Sequence, residues 1–294
     1  MAYTSTGFAK ELPKQSNSSY ATQQCHSQPI RVLTYNVEYG SEFIESMATR
    51  FTHGNTGGAL PWSIRLPEIR ARIASYAPDL IGLQETQTDT DIATIVALQT
   101  YQLQSYHLGK FHYGDAALLF KKDKFELLDS GQLWLSPTPS LPMSLGFKSL
   151  SMVRYVNWAL LKEKSTNFVF MFVNTHFDNA GVNKEPSATL FRDSIARLTQ
   201  QIPMIVTGDF NTKANTERYQ RLIGATETAS LLINTHSLTP LISTVLHPNE
   251  RIDHIFVGGP CQVIANNWLI DTQPLKNGQR MSDHDPLTVA VQFK

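Results

Sequence analysis

A chain of 294 residues with 41% apolar content can bury a sizeable core in one domain, or at most two. Its 25 basic and 25 acidic side chains balance to a formal net charge of zero, which excludes the global positive field behind tight, salt-sensitive polyanion binding and leaves only a local basic patch open. Cys25 and Cys261 lack the close spacing of a thiolate zinc site or a catalytic dithiol, so both read as free thiols, with a bridge between them as the alternative.

Residues 1–28 are rich in Ser, Thr, Gln and Asn, bury too little to offset the entropy of ordering, and read as a flexible polar tail. That tail has no continuous apolar core resembling a signal peptide, and no run approaches the roughly 18–20 apolar residues needed to cross a bilayer. The expectation is a soluble monomer, cytoplasmic or exported without a recognisable signal peptide.

From Pro29 the texture changes, and Ile30 to Val37 reads as a strand. Trp62 to Tyr76 carries apolar residues near helical spacing with Pro78 as a stop, followed by a strand over Leu80 to Gln84. Asp91 to Thr100 is expected as a helix, Ala116 to Phe120 and Phe125 to Leu128 as strands, and the Pro-rich Ser136 to Pro142 as a loop. Tyr155 to Leu161, Asn167 to Thr175 and Met204 to Gly208 read as strands, the last two strongly apolar and therefore central. Ser187 to Gln200 and Thr216 to Ile223 read as helices, and Ile252 to Val257 and Leu287 to Phe293 as strands. Strands outnumber helices without a regular βαβ period, which favours a layered α/β sandwich of mixed sheets over a parallel Rossmann sheet.

Polar residues fall at the C-terminal ends of these strands: Asn36, Glu85, His176, and Asp209 with Asn211. After a single strand such a residue is more often a solvated turn or a helix cap, but four strand ends form a constellation. Carboxylates and amide oxygens are hard ligands suited to magnesium or manganese.

The motifs TYN at Thr34–Asn36, LQE at Leu83–Glu85, NTHFD at Asn174–Asp178, GDFN at Gly208–Asn211, IDHIF at Ile252–Phe256 and SDHDP at Ser282–Pro286 resemble, in order and spacing, the endonuclease/exonuclease/phosphatase superfamily. That superfamily includes pancreatic deoxyribonuclease, abasic-site endonucleases, deadenylases, neutral sphingomyelinases and inositol-polyphosphate 5-phosphatases. LLDSGQLWLSPTP and NTHFDNAGVNKEPSATLF are similar to a bacterial branch of undefined substrate. The resemblance implies a four-layer sandwich of two packed mixed β-sheets flanked by α-helices, with residues 29–294 as one catalytic domain.

It also implies roles. Glu85 would bind Mg2+, with Mn2+ a possible substitute, and Asn36 and Asp283 would complete the metal's neighbourhood. Asp209 and Asn211 would orient and deprotonate the attacking water and hold the phosphate. His284, fixed by Asp253, would contact the phosphate or move a proton, and His176 would stabilise charge on the phosphoryl oxygens or protonate the leaving group. Asn36, Asn211 and Arg154 are the candidate substrate-binding groups, with a surface arginine at a strand start as the competing reading for Arg154.

Other polar residues carry less. Asp178 reads equally as a partner of His176 or a turn-stabilising aspartate, His254 as structural on the face opposite Asp253, and Asp115 as a residue able to face the cleft but more usually a turn residue. His53, His107, His112, His236 and His247 are expected in loops, and Trp62, Trp134, Trp158 and Trp268 as core or rim aromatics.

The implied function is metal-dependent hydrolysis of a phosphodiester or phosphomonoester, the substrate being a nucleic acid, a nucleotide or a phospholipid headgroup. The alternatives are a phosphoinositide phosphatase or sphingomyelinase-like enzyme, and a non-catalytic phosphate-binding module. TGDFNTKAN and NERIDHIF lack the longer basic and tryptophan-containing forms of inositol 5-phosphatases, and His176 stands where abasic-site endonucleases typically use tyrosine. Loops at Ser41 to Leu60 and Leu135 to Lys148 are expected to shape specificity.

Overall fold

Short β-branched and aromatic runs alternate with polar turns, and they build two sheets. The computed structural model describes residues 24–38, 60–86, 88–108, 111–148, 152–239, 251–275 and 278–294. In chain order the strands are β1 (Ile30–Asn36), β2 (Leu80–Gln84), β3 (Tyr101–Leu108), β4 (Phe111–Lys121), β5 (Phe125–Trp134), β6 (Tyr155–Glu163), β7 (Val169–His176), β8 (Met204–Asp209), β9 (Leu232–Asn234), β10 (Asp253–Gly258), β11 (Val263–Ile270) and β12 (Leu287–Phe293). The helices are α1 (Trp62–Tyr76), α2 (Asp89–Ile95), α3 (Gly181–Ile195) and α4 (Glu217–Leu222).

One sheet has the order β11-β12-β1-β2-β4-β3 and the other β5-β6-β7-β8-β10-β9. Each contains one parallel pair, β1 with β2 and β7 with β8, among antiparallel neighbours. Side chains of the two sheets interdigitate in a buried layer that includes Ile205, Phe170, Ile255, Trp268 and Val289. The first sheet's outer face buries Leu33, Ile81 and Leu119 against Ile69 and Ile73 of α1 and Ile92 of α2. The second sheet's outer face packs Val173, Val206 and Phe256 against Phe191 and Ile195 of α3 and Leu222 of α4. The result is the four-layer α/β sandwich that the motifs imply.

Local chemistry explains where element bounds depart from the expected ones. The helix expected over Asp91 to Thr100 starts and ends earlier, because Thr88 and Asp91 form a reciprocal capping box and β3 begins at Tyr101. The helix expected from Ser187 begins at Gly181 and carries Pro186 within it, so that proline is not the boundary it resembles. β3, β9 and β11 carry no sufficient apolar run, and β4 and β5 extend beyond the short strands expected.

The reading of both cysteines as free thiols is overturned: Cys25 and Cys261 form a disulfide with a Cα–Cα distance of 5.5 Å. Ser27 extends the β1–β12 pairing, donating from its backbone N–H to Phe293 O while its hydroxyl accepts from Phe293 N. Gln262 and Lys294 exchange backbone hydrogen bonds at the same end of β12. Both cysteines therefore meet at one strand terminus despite 236 residues of separation. Residues 24–28 are thus tethered, whereas 1–23 of the expected tail, and most of the Ser41 to Leu60 loop, lie outside the described residues. Among the described residues no helix is long and apolar enough to cross a membrane.

Candidate active site

The parallel pairs set the site's position. Asn36 and Gln84 are register partners at the ends of β1 and β2, and His176 and Asp209 are partners at the ends of β7 and β8. An antiparallel neighbour contributes from its opposite end: β10 begins with Asp253 across from Asp209, and Asp115 in β4 lies beside Glu85, whose N–H donates to Asp115 Oδ1 at 3.3 Å.

Asp209 is the buried centre of this arrangement. Its Oδ2 lies 3.5 Å from His176 Nε2, 3.6 Å from His284 Nε2 and accepts from Asn36 Nδ2 at 3.2 Å. Burial pushes its carboxyl up from the ordinary value, reinforced by the Asp253 charge and opposed by the two imidazoles. Each imidazole is backed by a second carboxylate. His284 Nδ1 donates to Asp253 Oδ2 at 2.6 Å, and His176 Nδ1 donates to Asp115 Oδ1 at 2.9 Å.

These dyads set the proton affinities. Burial lowers that of His284, but the hydrogen bond and charge of Asp253 outweigh it and raise the pKa to about 10. His176 is raised in the same way, Asp115 overcoming burial. Burial works to raise the Asp115 pKa, yet His176 and Arg154 hold its carboxyl far below the ordinary range. His284 is therefore an imidazolium donor at neutral pH, and His176 is shifted in the same direction.

A second group of oxygens surrounds Asn36. Its Nδ2 donates to Glu85 Oε1 at 2.9 Å, its Oδ1 accepts from Glu38 N at 3.0 Å, and Glu38 Oε2 accepts from Asp283 N at 2.9 Å. Burial raises the Glu38 pKa, and the Asp283 charge adds to the rise. Ser282 joins this side to the dyads, its hydroxyl donating to Asn36 O at 2.8 Å and accepting from His284 N at 3.1 Å. The buried Arg65 donates to the carbonyls of Leu60, Val37, Glu38 and Met281, fastening the end of β1 to the loop that carries His284. Three carboxylates and an amide oxygen are the hard donor set that suits Mg2+ or Mn2+. Among the described residues a compact group able to hold an ion is Asp209, Asp253 and His284, and Asn36 Nδ2 links its Asp209 to Glu85.

Glu38, Glu85 and Asn211 all have positive φ, at 49°, 59° and 48°. Left-handed backbone at a glutamate costs free energy and persists where the surroundings over-determine it, as active sites do. Asn211 is secured by its N–H to Asp209 Oδ1 at 2.8 Å and its Nδ2 to Phe177 O at 2.9 Å.

Residues that sequence reasoning ranked low divide sharply. Asp115 is no simple turn residue but the partner of His176; it lies within β4, just before the stretch that pairs with β2, and the antiparallel direction brings it to the end of β2. Glu38 carries no motif of its own. Arg154, expected as a phosphate clamp or a surface arginine, is buried, with Nη1 bonded to Asp115 Oδ2 and 2.9 Å from His176 Nδ1. Asp178 does not pair with His176; it accepts from Ala180 N, Asn183 Nδ2 and Met152 N and holds the start of α3. Asp283 stands on the rim, its side chain 65% exposed.

His254 is structural as expected: buried, with Nε2 donating to Thr212 O at 2.8 Å and Nδ1 accepting from Asn234, and burial lowers its pKa to about 4. His107 and His112 lie in β3 and β4 rather than loops, and His236 packs on Trp268, while His53 and His247 lie outside the described residues. Trp134 and Trp158 are core residues, and Trp62 and Trp268 are nearly so.

A family profile described as the endonuclease/exonuclease/phosphatase family matches residues 33–284. The chain belongs to that family. No curated protein matches the sequence significantly. Among solved structures, an endonuclease/exonuclease/phosphatase from Bacteroides vulgatus is 26% identical with a TM-score of 0.71, covering 91% of this chain and 100% of its own. A mannosyl-6-phosphatase from Bacteroides thetaiotaomicron is 22% identical with a TM-score of 0.69, covering 90% and 100%. The human Nocturnin catalytic domain is 20% identical with a TM-score of 0.66, covering 90% and 95%. The last two likenesses concern the fold alone.

Proposed function

We propose that residues 29–294 form a divalent-metal-dependent phosphoesterase that hydrolyses a phosphodiester or phosphomonoester by in-line attack of water. The observation that carries this reading is the convergence of two carboxylate–imidazole dyads on the buried Asp209, beside the oxygen-rich Asn36–Glu85 side.

In-line hydrolysis needs a positioned water, donors around the equatorial oxygens and a stabilised leaving group. Asp209, its proton affinity raised by burial, accepts the proton of the attacking water, and Asn211 orients that water and the phosphate. His284, held as imidazolium by Asp253, and His176, its proton affinity raised by Asp115, donate from Nε2 to the phosphoryl and leaving oxygens. Arg154 serves by keeping Asp115 ionised and in place. Glu85, Asn36 and Asp283, with Glu38 beside them, would hold Mg2+ or Mn2+. Bound there, the ion supplies Lewis-acid polarisation of the phosphoryl group and charge stabilisation of the leaving alkoxide.

The test is hydrolysis of p-nitrophenyl phosphate and bis(p-nitrophenyl) phosphate with Mg2+ or Mn2+. Asp209→Asn and His284→Ala should each lower kcat by about 10^2- to 10^4-fold, and chelation should abolish turnover. A folded wild-type protein inert towards both esters, and towards sugar phosphates, nucleotides, single-stranded RNA, plasmid DNA, phosphoinositides and sphingomyelin at fixed salt, would sink the reading.

A further inference from the structure

Directly beneath the cleft floor, the otherwise apolar space between the sheets contains a polar layer. Residues i and i−2 of a strand share a face, so Thr34, Asn174 and Thr207 lie under Asn36, His176 and Asp209, and Gln84 joins them from β2. All four are fully buried. Gln84 Nε2 donates to Thr34 Oγ1 at 3.1 Å and to Asn174 Oδ1 at 2.7 Å. Asn174 Nδ2 donates to Leu83 O at 2.9 Å and Ala117 O at 2.8 Å. The Thr207 hydroxyl lies 3.0 Å from Asn174 Oδ1 and 3.1 Å from Val173 O, its one hydrogen serving both. The layer closes over Gly82, where a Cβ would come within 2.3 Å of Thr207 Oγ1 and 2.5 Å of Asn174 Oδ1.

We infer that Asn174 is a positioning residue, whose amide bolts the strands of Glu85 and Asp115 in one sheet to the strands of His176 and Asp209 in the other. Leu83 is two residues before Glu85, Ala117 two after Asp115, and Asn174 two before His176. One side chain therefore sets the separation of Glu85 and Asp115 from His176 and Asp209. Apolar packing between sheets is non-directional and tolerates sliding, whereas hydrogen bonds hold donor and acceptor within a few tenths of an ångström. Catalytic groups need placement within about 0.5 Å, which directional bonds supply and apolar packing does not.

This role rests on the phosphoesterase reading, so its test includes a measurement without turnover. Thr207→Val keeps the shape and removes the hydroxyl that holds Asn174, while Thr207→Ser keeps the hydroxyl and removes a buried methyl. We expect Thr207→Val to lower kcat by about tenfold at unchanged KM and to weaken Mn2+ binding to the substrate-free protein several-fold. Thr207→Ser should leave both within about twofold while lowering Tm at least as much. Asn174→Asp, which cannot donate to the two carbonyls, should resemble or exceed Thr207→Val. Activity and Mn2+ affinity that simply follow Tm across these variants, or a Thr207→Val protein unchanged in both, overturn the role. If wild-type cleaves no ester, the phosphoesterase reading falls, and the Mn2+ measurement still decides the layer's role.

Discussion

The two ends of β2 carry one carboxylate each and treat it oppositely. Asp79, before its first residue, accepts from Arg31 N at 2.9 Å and pairs with Lys121 and Lys124, each at 3.0 Å, with Arg31 Nη2 at 3.4 Å. Burial works to raise its pKa, but these partners lower it below the ordinary value. Glu85, after the last residue of β2, has a left-handed backbone, an amide partner in Asn36 and the Asp115 carboxylate on its own N–H. One end balances its charge, and the other concentrates oxygen donors and imidazoles. A buried acid surrounded by cations is a structural joint, whereas one set among other oxygen donors offers a place for a cation.

The largest expected effect that separates the two ends is in stability. Asp79→Asn should cost about 3 kcal/mol, the low end for breaking a buried ion pair because its lysines can reach water, and leave hydrolysis unchanged. Because the folded pKa of Asp79 is depressed, its contribution is present above about pH 4 and lost as pH falls through the lower folded value. Urea melts of Asp79→Asn should therefore show a flatter acid dependence than wild-type; an equal loss of turnover would erase the distinction between the ends.

Asp115→Asn should do the reverse, lowering kcat about 10^2-fold, about 2.7 kcal/mol in the barrier, by removing the charge that raises the proton affinity of His176. A kinetic pH profile should show the His176 limb moved to lower pH, and an unchanged profile would return Asp115 to the status of a turn residue. The smallest effect belongs to the disulfide. Cys25→Ser should cost about 2 kcal/mol, and reductant should lower the Tm of wild-type but not of the variant.

Much of the site was legible because strand-end polar residues follow directly from local pattern. Asn36, Glu85, His176 and Asp209 each terminate an apolar run, and the ordered motifs tie them to Asp253 and His284. Asp115 ranked low because it precedes the apolar run Ala116 to Phe120, and it reaches the cleft only because β4 runs antiparallel to β2. Glu38 and Arg65 were hidden because their partners are backbone groups at positions such as Asp283 and Met281. Cys25 and Cys261 were misread because spacing along the chain says nothing of two segments that share one strand terminus.

By itself the sequence determined the family, the layered α/β class and most of the polar residues at strand ends, since these rest on local periodicity and ordered motifs. The tertiary structure decided which carboxylate backs which imidazole, that Arg154 holds Asp115, that the cysteines are joined and that Asn174 spans the sheets. Those pairings depend on strand order and direction, which bring together residues such as His176 and Asp115, 61 positions apart.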